Sequence, residues 1–209
     1  MRYLNKIVFI NSAAIRYSEV QLDGNIHLIG TQGVGKSTIL RAILFFYNAD
    51  TQRLGIPVEK KSYQDYYFPY ADSSIIYEVA REDGWFTVLS YKTMNRICYR
   101  FIASPYRPDL FIDEEGAPYP SDRIRSVLDK NGIKYSGAIS TYEEYRNILY
   151  GNSDNKRDYS CYSLMESGSY QNIIRTIQNV LLNSRLEADY IKQTIITSLN
   201  EADSVIDLS

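Results

Sequence analysis

The chain has 209 residues, 44% of them hydrophobic and 23% charged, with a formal net charge of −2. That length holds one generous domain, or one domain with a smaller appendage, and the composition is ordinary for a globular protein. The charge excludes a global basic field, so contact with nucleic acid would need a local patch. The apolar run that opens the chain stops at Asn11, too early for a signal-peptide core or a membrane span, so no membrane partner is expected. Cys98 and Cys161 are far apart, which predicts reduced thiols in the cytoplasm and no disulfide framework or metal cluster. The twenty tyrosines are spread along the chain and read as strand and surface packing.

In chain order, residues 3 to 10 and 17 to 22 read as strands, with a turn at Asp23-Gly24. Ile26 to Ile29 form a short buried strand, in which His27 reads as a packed strand residue. A glycine loop follows. From Ser37 the pattern becomes helical, with Ile39, Leu40, Ile43, Leu44 and Tyr47 on one face, and it fades near Asn48. Residues 51 to 72 are polar, contain Gly55, Pro57 and Pro69, and read as a long surface connection. Three strand-like runs at 73–82, 85–94 and 96–104 are separated by Asp83-Gly84 and Asn95, which predicts an antiparallel meander. Residues 109 to 116, DLFIDEEG, add a fourth short strand and a turn. Helices are expected at 121–130 and 141–150, the second opened by a capping box from Thr141 to Glu144. A polar loop spans 151 to 160. Apolar residues from Ile173 to Leu199 then predict a helical exit over 170–199.

The stretch GTQGVGKST fits the pattern G-x-x-x-x-G-K-[S/T] through Gly30, Gly35, Lys36 and Ser37. Residues without side chains let the backbone curl so that its N–H groups point at phosphate oxygens. The helix N-terminus adds partial positive charge, Lys36 reaches the β- and γ-phosphates, and the Ser37 hydroxyl completes a Mg²⁺ shell. A strand before and a helix after supply the context that this chemistry requires.

Two further matches spell a different phosphate-loop protein. Asp113-Glu114 ends a short apolar run and resembles a Walker B element, while Asp113 to Gly116 fits D-x-x-G and Asn155 to Asp158 fits N-K-x-D. Together they describe a self-contained GTPase. The context opposes it: YGNSD ahead of Asn155 is loop sequence, and Asp113 follows an antiparallel meander where a parallel core is required. On this reading Asp113 is a hairpin residue. A third class is a phosphate-loop fold used only as a structural or regulatory module.

Two strands, a phosphate loop with its helix, an antiparallel meander and a helical exit together resemble the N-terminal half-head of SMC-like ATPases. The likeness is nearest to the MukB-like branch that includes the large subunit of Wadjet-type anti-plasmid systems. FINSAAIRY, GTQGVGKSTILRAILFFYNAD, YYFPYADSSIIYEVARE and the segment from Tyr162 to Asp203 carry it. The resemblance implies an α/β P-loop NTPase: the N-terminal lobe of an SMC/ABC-type head at 1–169, with an antiparallel β subdomain at about 73–116, and an exit toward a coiled coil at 170–209. It implies ATP and Mg²⁺ as cofactors, held by Gly30, Gly33, Val34, Gly35, Lys36, Ser37 and Thr38. Asn11 and Ser12 lie in an early loop near the nucleotide, and Gln171 is a Q-loop residue for metal or water, with Gln64 as its rival. Implied partners are the C-terminal half of the same head, a second head as homodimer, accessory kleisin-like subunits and DNA, for which Lys60, Lys61, Arg96, Arg100 and Arg107 are candidate contacts. No signature motif is present, so the chain is expected to be an N-terminal piece that binds ATP and barely hydrolyses it.

Overall fold

In the computed structural model, residues 2–23, 29, 35–48, 62–94, 96–151 and 159–164 are described. They fall within the first of two units of the chain, Met1–Ser169; the second, Tyr170–Ser209, lies outside them. The helical exit expected over 170–199, the start of the short strand before the glycine loop and the Asn155–Asp158 match therefore lie outside the described residues.

The fold is α/β. Five strands, β1 (Tyr3–Ser12), β2 (Ile15–Gln21), β3 (Ser74–Arg81), β4 (Gly84–Thr93) and β5 (Arg96–Ile102), form one antiparallel sheet in the order β2-β1-β3-β4-β5. The expected meander is present as β3-β4-β5, closed by tight turns that pair Arg81 with Gly84 and Thr93 with Arg96. β1 lies between β2 and β3, so the start of the chain runs inside the sheet and not along an edge. Four helices are described: α1 (Lys36–Asn48), α2 (Tyr63–Tyr67), α3 (Ser121–Lys130) and α4 (Tyr142–Leu149). None of them is long and apolar enough to cross a membrane.

Strand alternation sends two sets of side chains to opposite faces. Val8, Ile10, Ile76, Leu89, Cys98 and Ile102 face a core completed by Tyr106, Leu110, Phe111 and, from α3, Ile124 and Leu128. The other face is aromatic. Tyr77 donates its hydroxyl to the Ala42 carbonyl of α1, Tyr145 of α4 donates to the Phe46 carbonyl, and the Tyr99 and Tyr145 rings lie 4.3 Å apart. Tyr63, Tyr67, Tyr77, Tyr99, Tyr145 and Tyr162 are buried, so many of the tyrosines build the core where surface packing was expected.

Three further expectations are corrected. Residues 109–116 form no strand: Pro108 lacks an N–H and opens a single 3-10 turn, Pro108–Leu110, followed by a bridge between Ile112 and Pro118. The connection at 51–72 contains α2, nucleated where the Ser62 hydroxyl accepts from the Asp65 N–H, and it buries Tyr63, Tyr67 and Phe68. The buried side of α1 runs through Thr38, Ala42, Leu44, Phe45 and Phe46; of the expected face Leu44 is buried, Ile39, Ile43 and Tyr47 are half-buried, and Leu40 is 37% exposed. Small Ala42 lets the helix approach the sheet, and the two phenylalanines fill the space beyond it. α4 opens with half of the expected capping box: the Thr141 hydroxyl accepts from the Glu144 N–H at 3.3 Å, while the Glu144 carboxylate does not return the bond.

Candidate functional site

The end of the glycine loop is the N-terminus of α1. Gly35 has φ +94, and a β-carbon there would meet nothing within 4 Å. Left-handed backbone favours glycine, and the open space beside it is where a ligand can approach the chain. The Gly35 carbonyl accepts from the Thr38 and Ile39 N–H groups at 3.0 and 3.1 Å, fixing the first turn. Lys36 and Ser37 are the first two helical residues, whose N–H groups have no carbonyl a turn earlier to bond within the helix. Lys36 sits where the helix dipole is positive. Such an end accepts an anion, and a phosphate group fits its donor set.

α2 holds this turn in place and is itself held by the end of β1. The Tyr67 hydroxyl donates to the Thr38 carbonyl at 2.7 Å, and the Tyr66 hydroxyl lies 3.1 Å from the Thr38 hydroxyl. The Ser12 hydroxyl in turn donates to the Tyr67 carbonyl at 2.8 Å. Ser12 and Tyr67 are fully buried and Thr38 is 7% exposed. Asn11, with φ 45, stands near the end of β1 at a tight turn; its amide donates to Asp72 at 2.9 Å and its carbonyl accepts from the Ser73 hydroxyl. The β1–β2 turn, α2 and the first turn of α1 therefore form one hydrogen-bonded cluster. Burial raises the Tyr67 hydroxyl well above its ordinary range, keeping it a neutral donor. α2 is tied to the sheet as well, through Lys92 of β4 and Asp65 at 3.3 Å.

Of the residues expected at the site, Ser12, Gly35, Lys36, Ser37 and Thr38 come together around the start of α1, with Asn11 in the adjoining turn. Gly30, Gly33, Val34 and Gln171 lie outside the described residues. The rival Gln64 sits on α2, the helix that clamps Thr38. Sequence reasoning missed Tyr66 and Tyr67. The signal was available: Ser62 and Asp65 form a start motif, and Tyr63 and Tyr67 stand one helical turn apart.

The other candidates go elsewhere. Asp113 Oδ1 accepts from the Glu115 and Ala117 N–H groups at 3.0 and 2.8 Å, and Gly116 at φ +78 completes the turn. This carboxylate organises its own loop, as the hairpin reading expects. Among the described residues no cluster of three metal-ligating side chains occurs. Of the basic residues, Arg96 is exposed and Arg107 is paired with Asp109. Arg100 is 4% exposed, which corrects its reading as a surface contact. Lys60 and Lys61 lie outside the described residues.

No curated protein compared with the chain matches it. One family profile does, over residues 12–209, and its description is "Protein of unknown function (DUF3584)". The match takes in Ser12 and the whole of α1 and α2. The chain belongs to the DUF3584 family, which is associated with RecF/RecN/SMC-like proteins.

Proposed function

We propose that the chain is the ATP-binding N-terminal half of an SMC-like head domain, nearest in kind to the MukB-like branch with its Wadjet-type large subunits. It would act in the cytoplasm within a DNA-handling complex for plasmid defence, chromosome maintenance or repair. The observation that carries the reading is the first turn of α1. A left-handed glycine beside open space, a lysine at the first helical position and a serine at the second are the residue types that a phosphate loop uses at these places. The family association and the hydrogen-bonded cluster joining Ser12 to Thr38 support it.

In this reading the Lys36 ammonium and the N–H groups at the start of α1 bind and orient the phosphates. The Ser37 hydroxyl, together with Gln171 or Gln64, would hold Mg²⁺, which when bound neutralises phosphate charge. Thr38, braced by Tyr66 and Tyr67, keeps the turn from rotating. The acid that positions water, the signature motif and a second head come from the C-terminal half and the homodimeric partner, alongside kleisin-like subunits and DNA. Positioning and charge stabilisation supply nearly all of phosphoryl-transfer catalysis, and a missing charged group costs about 10³-fold or more.

The test is phosphate release by the chain alone, by the chain with a polypeptide carrying the C-terminal half, and by both with Lys36→Ala. The reading expects near-silence alone, activity in the mixture, and loss with Lys36→Ala. A chain that alone sustains about one turnover per second, within the ordinary enzyme range, would already contain its acid and would contradict the half-head.

A further inference from the structure

Tyr66 lies on α2 and is 38% exposed, whereas Tyr63 and Tyr67 of the same helix are buried. Its hydroxyl lies 3.1 Å from the Thr38 hydroxyl, one residue beyond Ser37 in the first turn of α1. Its ring meets that of Tyr67 nearly at right angles, with centres 5.0 Å apart, and among the described residues no other ring packs on it. One end of the side chain is therefore fixed to the turn that presents Lys36 and Ser37, while the ring keeps a face open to solvent.

A bond to the Thr38 hydroxyl does not need an aromatic ring. A glutamine or an arginine spans the same distance and leaves less apolar surface in water. A tyrosine adds a rigid apolar plane beside the turn. In a nucleoside triphosphate one sugar separates the charged tail from the flat base, so a turn that grips the phosphates meets the base about one side-chain length away. The approach to the turn is clear at Gly35, where a β-carbon would meet nothing within 4 Å. We propose that the ring of Tyr66 stacks on the base of the bound nucleotide, so that the site takes nucleotides by the π-face of the base and does not read its edge. The proposal rests on the nucleotide reading of the start of α1. Every base has a π-face, so such a site holds ATP and GTP comparably, and purines ahead of pyrimidines because the overlap is larger.

The experiment is calorimetric titration of Mg²⁺-ATP and of Mg²⁺-tripolyphosphate into the 209-residue chain and its Tyr66→Ala, Tyr66→Phe and Lys36→Ala variants. Tyr66→Ala weakens ATP binding about tenfold, the loss of one base–aromatic stack, and leaves tripolyphosphate binding unchanged. Tyr66→Phe keeps the ring, loses the bond to Thr38 and retains most of the ATP affinity. Etheno-ATP fluorescence is quenched on binding to the parent and to Tyr66→Phe, and not on binding to Tyr66→Ala. Equal losses for ATP and tripolyphosphate in Tyr66→Ala would overturn the stack, because a ring that only braces the turn acts on the phosphates. Unchanged ATP affinity in that variant would overturn it too. Should Tyr66→Ala fail to fold, the parent decides alone, and unquenched etheno-ATP overturns the stack. Lys36→Ala separates the two claims. Weaker binding of both ligands in it upholds the phosphate site whatever the Tyr66 variants do, whereas a parent that binds neither ligand overturns that site and the stack with it.

Discussion

Tyr67→Phe isolates the bond between α2 and the first turn of α1. The ring is fully buried and stacks on Tyr63 at a centroid distance of 4.2 Å, and the phenyl group of the variant keeps that packing. What disappears is one hydroxyl, which donates to the Thr38 carbonyl at 2.7 Å. A neutral buried hydrogen bond contributes about 0.5–1.5 kcal/mol net, and the abandoned carbonyl keeps its place in the helix ladder. The expected loss is therefore about 1 kcal/mol, or about 2–4 °C in Tm for a domain of this size. Urea unfolding monitored by circular dichroism measures it. Because the same bond steadies the turn that presents Lys36 and Ser37, ATP affinity should fall by a few-fold in the same variant. A loss below about 0.3 kcal/mol would show that the hydroxyl bond contributes nothing to stability. A loss of stability with unchanged nucleotide affinity would break the argued link between α2 and the phosphate site.

Burial raises the hydroxyls of Tyr63, Tyr77 and Tyr145 well above their ordinary value of 10.0. In the unfolded chain they ionise first, so the stability they confer is intact below about pH 10 and falls above it by roughly 1.4 kcal/mol per pH unit for each. Urea midpoints should be flat up to that pH and then collapse steeply, and a shallow alkaline decline would contradict the buried aromatic face. Glu78 is buried, and its two carboxylate oxygens accept from the Asn5 amide and the Tyr106 N–H, each at 2.7 Å. Glu78→Gln turns an N–H₂ toward one of these donors and should cost about 2 kcal/mol or more by the same unfolding assay; a neutral outcome would mean that the bonds are not made. Because the N-K-x-D match at Asn155–Asp158 follows loop sequence and not an apolar strand, no strong guanine preference is expected, and calorimetry showing GDP bound a hundredfold more tightly than ADP would revive the GTPase.

The meander was legible because composition and turn chemistry agree: Asp83-Gly84 and Asn95 mark its corners, and the runs between them are rich in β-branched and aromatic residues, as strands buried on both faces require. The position of β1 was not legible, since pairing between residues 3–10 and 74–80 is a long-range choice that local pattern does not encode. The face of α1 was misread for a related reason. Ile39, Leu40, Ile43, Leu44 and Tyr47 look like a core stripe; Leu44 is buried, yet tertiary packing otherwise selected Ala42 and the large rings of Phe45 and Phe46. The strand assigned to 109–116 failed because three apolar residues cannot outweigh Pro108 at its start and an aspartate that captures its own backbone. At the candidate site, the motif residues were readable from spacing alone. Their support was not, because Tyr66 and Tyr67 lie in a segment whose polar composition reads as loop, and only the fold brings Ser12 beside it.

The central claim is that the start of α1 holds the phosphates of a nucleotide. Calorimetric titration of Mg²⁺-ATP into the chain and into Lys36→Ala tests it most directly. A charge-assisted contact at Lys36 predicts saturable binding to the parent, weakened at least about tenfold in the variant. Indistinguishable affinities in the two chains, or no binding to either, would contradict it.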